Sequence, residues 1–230
     1  MNGYRGINHF SFQPQIFSPQ TGLIYMTIQP ISIHFPDGFN LLKRQKQLCQ
    51  KMDHAYDIAA AHYGFVCTGC DDNCCRTRFY HHTLVEYSYL YFGMQQMEPG
   101  QQADIRYRAA EYVRIEDQYE SSDTAEKPWC PLNDQGLCQL YAYRPMICRL
   151  HGLPHELTTP GKGRKTGPGC DTFFHRCGHH DYFPLDRTPL YHELADIERS
   201  ARQLIRYPDI IRLTIARMIC HFPKEKFDES

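Results

Sequence analysis

Eleven cysteines constrain this chain more than any other feature, because nine of them fall between Cys67 and Cys177, in stretches rich in glycine and proline. Thiols gathered in irregular backbone serve as disulfides or as metal ligands. Disulfides belong to oxidising compartments. The amino terminus, Met-Asn-Gly-Tyr-Arg-Gly-Ile-Asn-His-Phe, lacks the basic start, apolar stretch and small-residue cleavage site of a secretory leader. No window holds about 18 consecutive apolar residues, so no membrane span is expected. The expectation is a cytoplasmic protein whose clustered cysteines bind metal or carry out redox chemistry.

The rest of the composition is ordinary. A chain of 230 residues, 42% hydrophobic and 22% charged, can bury a core in one or two domains. That excludes a disordered tail, a collagen-like repeat and a long coiled coil. A net charge of -1 gives no global basic field, so no nucleic-acid partner is indicated. A protein partner is the class left open.

Residues 1–36 show no helical period and read as a weakly structured extension, in which Ile31, Ile33 and Phe35 alternate with Ser32 and His34 like a short strand. Met26 is a second candidate start. Residues 37–230 read as a single mostly helical domain. Leu41, Leu42, Leu48, Met52, Tyr56, Ala59 and Tyr63 recur every three to four positions, predicting a helix over 39–63 that Gly64 stops. A second helix is expected over 74–97, apolar from Leu84 to Phe92, and a third over 101–119. Ser121 to Lys127 reads as a polar linker. Thr188-Pro189 predicts a fourth helix with a hydroxyl cap and a stripe of Leu190, Leu194, Ile197, Ala201 and Leu204. A fifth is expected from Pro208 through Ile211, Ile215, Met218 and Phe222. The fold class is therefore mainly α: about five helices around an irregular cysteine-rich middle, with room for a short β-hairpin. The run from Thr158 to Gly167 reads as a turn or flexible loop. An irregular middle of this kind needs a staple, and metal is the one at hand.

Two blocks carry the chemistry. The first is Cys67-Thr-Gly-Cys70-Asp-Asp-Asn-Cys74-Cys75-Arg76. A C-x-x-C turn brings two sulfurs within reach of one metal. Cys74 and Cys75 are expected at a helix start, where free N–H groups and the helix dipole favour thiolate. The second block runs from Cys130-Pro131 through Cys138-Gln-Leu-Tyr-Ala-Tyr-Arg-Pro-Met-Ile-Cys148-Arg149. Cys130 and Cys138 bracket a polar turn at Asn133, Asp134 and Gly136. Cys170 and Cys177 follow later, each beside glycine. A single cysteine in such a place reads as a small buried hydrophobe; nine in loops read as metal ligands.

Cys67-x2-Cys70-x3-Cys74-Cys75, followed by Cys130-Pro131 and Cys138-x-Leu-Tyr-x-x-Arg144-Pro145-x-x-Cys148-Arg149, resembles the C-x-x-C-x-x-C-C "putative zinc- or iron-chelating" cysteine-cluster family, to which the flagellin lysine N-methylases are related. The resemblance covers about residues 65–178. Here three residues rather than two precede the Cys74-Cys75 pair, so either of the pair can take the family position. The resemblance implies metal or iron–sulfur binding, and no one reaction.

The expected ligands are Cys67, Cys70, Cys75, Cys130, Cys138 and Cys148, then Cys74 and Cys170, with Cys177 last. Cys49 and Cys220 lie on helix stripes and read as core. Zinc and a cubane cluster both accept four thiolates. Only one clean C-x-x-C hook is present, the ligands span a long stretch, and Cys130-Pro131 resembles the Cys-Pro of bacterial ferredoxins, so an iron–sulfur cluster is favoured slightly over zinc. A radical S-adenosylmethionine site is excluded, because Thr77 stands where a third cysteine is required.

His81, His82 and Glu86 are expected on the second helix, where His82 and Glu86 share a face. They read first as a polar face with a satisfied histidine and second as a mixed histidine/carboxylate metal site. His175, His179 and His180 around Cys177 read as exposed. Arg144 and Arg149 are expected to bond carbonyls or to offset thiolate charge. The Gly161–Gly163 segment lacks the order of a phosphate-binding loop. Three function classes follow: a non-catalytic metal-binding module, an iron–sulfur enzyme, and a disulfide protein. The enzyme class means redox chemistry or, by the resemblance, S-adenosylmethionine-dependent protein-lysine methylation. No Gly-rich strand–turn–helix for an adenosyl group is present, and the disulfide class conflicts with the amino terminus.

Overall fold

The computed structural model describes residues 28–32, 36–67, 74–118 and 128–223. Among them are seven α-helices and two small antiparallel hairpins, so the fold is mainly α. Helix α1 (Pro36–Tyr63) has no proline beyond its first position. It ends where Gly64 adopts a φ of 60°, letting the Phe65 N–H reach back to the Ala60 carbonyl at 2.9 Å. Residues 31 and 32 belong to no strand, and 33–35 lie outside the described residues, as does the expected linker at 121–127.

The second helix is shorter than its apolar pattern suggested. Helix α2 runs only over Leu84–Met94, and Cys74 and Cys75 lie in a turn ten residues earlier. This corrects the expectation that the pair opens a helix; His81 and His82 also precede α2 rather than riding on it. Every residue from Leu84 to Leu90 is buried, which fits its continuous apolar run. Helix α2 is the central element. Leu84, Tyr87, Leu90 and Met94 pack against Ile105 and Ala109 of α3 (Pro99–Gln118) and against Met218 and Ile219 of α7 (Ile215–His221). Val85 instead joins Leu48 and Met52 of α1 and Ile197 and Ala201 of α6 (Thr188–Ile205).

Helix α6 forms as expected, with two differences. Thr188 does not cap it; its hydroxyl accepts the Thr158 N–H at 2.8 Å. Leu204 is exposed, because the stripe turns away from α1 after Ala201. The fifth expected helix begins only at Ile215, capped by Thr214 Oγ1. Residues 208–214 form no helix, and Leu213 pairs there with His81 as an isolated antiparallel bridge. Cys220 is exposed on α7, which corrects its reading as core, whereas Cys49 is buried as expected.

The irregular middle holds both hairpins. Strands β1 (Asn133–Asp134) and β2 (Leu137–Cys138) are joined by Gln135 and Gly136, both at positive φ, the backbone that a two-residue hairpin turn demands. Helix α4 (Met146–Arg149) follows Pro145. Strands β3 (His155–Thr159) and β4 (Gly163–Gly167) make a ribbon where a loop was expected. Its second strand is almost wholly exposed and lacks apolar alternation, which hid it in the sequence. Helix α5 (Asp171–Cys177) closes a separate apolar cluster with Tyr63, Phe65 and Leu153. Among the described residues no helix is long and apolar enough to cross a membrane.

Candidate metal centre

The two cysteine blocks, far apart in sequence, meet through one backbone bond: the Cys130 N–H donates to the Cys75 carbonyl at 2.8 Å. Beside that seam lies a cavity of about 40 Å³ whose wall includes Cys74, Cys75, Cys130, Cys138 and Cys148. On its outer side a cleft is lined by Cys67 together with Cys74, Cys75, Cys138 and Cys148. Six of the expected ligands therefore border one region. Cys70 lies outside the described residues. Cys170 and Cys177 are elsewhere, in the apolar cluster around α5. Cys170 Sγ accepts the Phe173 N–H as the cap of that helix, and the Cys177 thiol donates to the Tyr63 carbonyl. None of the ten described cysteines is in a disulfide.

The backbone is arranged to receive charge on sulfur. The N–H of Leu132 donates to Cys130, and the N–H of Leu140 donates to Cys138, each two residues beyond its cysteine. Cys75 is held well below the ordinary thiol range, chiefly because Cys130 and then Cys74 donate to it, with Asn133 adding a further bond. Cys74 and Cys130 move the opposite way, because they are the donors and are desolvated. Burial also raises Cys138, to about 11, and Cys148. Arg144 is the common cation, favouring thiolate at Cys74, Cys75, Cys138 and Cys148. Its guanidinium stacks 3.5 Å over the Tyr141 ring.

Cys148 is presented by α4, and α4 is anchored at both ends. Glu86 Oε1 accepts the Met146 N–H at 2.7 Å. Arg149 is buried and donates to the Ala142 carbonyl at 2.5 Å, to the Arg144 carbonyl at 2.7 Å and to both oxygens of Asp53 at 2.7 and 2.8 Å. Both arginines play both expected roles: Arg144 also donates to the Tyr141 carbonyl at 3.2 Å and the Cys148 carbonyl at 3.5 Å, and Arg149 also favours thiolate at Cys138. His82 Nδ1 donates to the Ile211 carbonyl at 2.9 Å, and Glu86 is engaged as a helix cap, so this pair is structural. His175, His179 and His180 are exposed. Sequence reasoning missed the capping role of Glu86 and the place of His81, which lines the thiol cavity from behind.

The thiols border a cavity rather than a point. Among the described residues no group of three or more His, Cys, Asp or Glu side chains is so placed that it could hold a metal ion. What the structure assembles is a donor set whose chemistry fits a soft or borderline metal: several thiols, N–H groups aimed at sulfur and one arginine against the accumulated charge.

The architecture defines a class: a mainly α protein with a thiol-walled pocket between two cysteine blocks. Residues 66–167 match the model of the CxxCxxCC family, described as a "Putative zinc- or iron-chelating domain". No curated protein and no solved structure matches the chain.

Proposed function

We propose that this protein holds a metal centre through cysteine thiolates, with Cys67, Cys70, Cys74, Cys75, Cys130, Cys138 and Cys148 as its donor pool and an iron–sulfur cluster, ahead of zinc, as its occupant. The observation that carries the reading is the shared wall formed by Cys74 and Cys75 from one block and Cys130, Cys138 and Cys148 from the other. A wall of five buried or half-buried thiols has little value to a hydrophobic core. It is worth building where sulfur must lose its proton, and the Leu132 and Leu140 N–H groups and Arg144 favour that loss. Metal bound there cross-links the Cys74–Cys75 turn to the β1–β2 hairpin and α4, and its binding energy becomes folding energy for a segment poor in regular structure. Cys170 is proposed as a reserve thiol at most, since it already caps α5.

The test is anaerobic purification of the full chain, with elemental analysis and a visible spectrum. Iron with acid-labile sulfide and absorption near 400 nm supports the cluster. Colourless protein with zinc keeps the thiolate centre and replaces its occupant. A chain that takes up neither metal overturns the proposal.

A further inference from the structure

The thiol cavity has one polar group on its inner wall that nothing in the protein satisfies. His81 is only 2% exposed, and its Nε2 has no hydrogen-bond partner among the described residues. His81 lines the thiol cavity together with Cys74, Cys75, Cys130, Cys138 and Cys148, and it also borders the neighbouring pocket of His82, Glu86 and Glu198. Around it the wall is largely apolar, with Phe79, Leu132, Ile215 and Ala216. The main chain at His81 is held in place: its backbone N–H donates to the Leu213 carbonyl at 2.8 Å, and the Leu213 backbone N–H returns a bond to the His81 carbonyl at 3.0 Å. Burial disfavours its charged form, which leaves a neutral ring with a lone pair. A buried polar atom without a partner costs about 1–3 kcal/mol, and native proteins leave few of them. A metal received in the thiol cavity would supply that partner.

We propose that His81 is a nitrogen ligand to the metal, making the centre a mixed cysteine/histidine site rather than an all-sulfur one. The inference rests on the thiolate reading above. Zinc and iron both accept imidazole beside thiolate, and a neutral imidazole lowers the net negative charge that an all-cysteine set would accumulate in a buried pocket. His81 is the only histidine on that wall among the described residues, whereas His82 is turned to the Ile211 carbonyl.

Zn²⁺ is the probe. The full chain is loaded with Zn²⁺ and its X-ray absorption fine structure is recorded, which requires no variant to fold. The expected result is a sulfur shell at about 2.3 Å together with a light-atom shell at about 2.0–2.1 Å that carries imidazole scattering. H81A should lose the light-atom shell, and H82A should keep it. Circular dichroism of each variant confirms that the helices persist. An all-sulfur shell in the wild type, or a light-atom shell that survives in H81A, overturns the inference while leaving the thiolate centre standing. Failure of the wild type to bind either zinc or iron removes the reading beneath it as well.

Discussion

Glu86 on α2 caps a helix that is not its own: its Oε1 accepts the Met146 N–H at 2.7 Å, while Oε2 sits 2.5 Å from the Thr83 hydroxyl. Helix α4 has no side-chain cap from Pro145, so this buried carboxyl supplies one, and α4 carries Cys148. E86A should cost about 2 kcal/mol of unfolding free energy, as lost caps and orphaned buried donors do. It should also reduce metal content, because Cys148 loses its platform. Urea unfolding and elemental analysis of the same sample check both; unchanged stability would show that α4 stands without Glu86.

The same carboxyl has a pH signature. Burial, above all, raises its pKa in the folded state, with neighbouring Glu198 adding to the effect. A raised folded value means that folding favours the protonated form. Its contribution is therefore fully present below the ordinary carboxylate range and is lost as pH rises through the raised value. E86Q keeps an acceptor and never ionises. Wild-type stability should fall relative to E86Q as pH climbs above the ordinary carboxylate range, and a gap that widens in favour of wild type would contradict this account.

Arg149 ties α1 to the turn before α4 with charge-assisted bonds to Asp53 and to two carbonyls. Asp53 is partly exposed and can rehydrate when its partner is removed, whereas the carbonyls of Ala142 and Arg144 cannot do so as readily. R149A should therefore cost about 3 kcal/mol, mostly from hydrogen bonds to a buried charged group. R149K should recover only part of that, because an ammonium cannot fork to a carboxylate and two carbonyls at once. Denaturant midpoints of the two variants measure the difference.

Metal content should divide the cysteines by location. Cys75→Ser and Cys148→Ser should each lower bound metal, since both line the cavity and the cleft. Cys49→Ser and Cys177→Ser should keep full metal content, because those thiols are buried among apolar side chains away from that wall. Equal loading in all four variants would remove the cavity from the account.

In the metal-free chain Cys75 should be more reactive than Cys138 and Cys148. Hydrogen bonds from Cys130 and Cys74 hold it as thiolate, and it is not fully buried. Iodoacetamide at pH 6, followed by peptide mass analysis, should label Cys75 ahead of Cys138 and Cys148. C130S removes the leading donor and should slow that labelling.

Periodicity made α1 and α6 legible in the sequence, because each carries an apolar stripe, and α3 was legible from the Pro99-Gly100 break at its start. It failed where pattern and packing part company. The apolar run of α2 carried the predicted helix back over the Cys74–Cys75 turn, yet that turn is fixed by the Cys130 bond, a contact no local pattern reveals. The β3–β4 ribbon is exposed and polar, and shows no alternation to read. In the site, cysteine spacing pointed to the second block and to its turn at Asn133–Gly136. The positions of Glu86, Arg149 and His81 depend on tertiary neighbours and carry no spacing signal. Cys170 shows the converse: its glycine-flanked setting looked like a ligand position and turned out to cap a helix.

Two buried glutamates connect three helices in series. Glu198 of α6 accepts the Val85 N–H at the start of α2 at 3.0 Å, and Glu86 of α2 does the same for α4. Helix α6 contributes no residue to the thiol wall, yet it stands at the head of the relay that ends at Cys148. The placement of the Cys148 sulfur thus depends on a helix that never touches it.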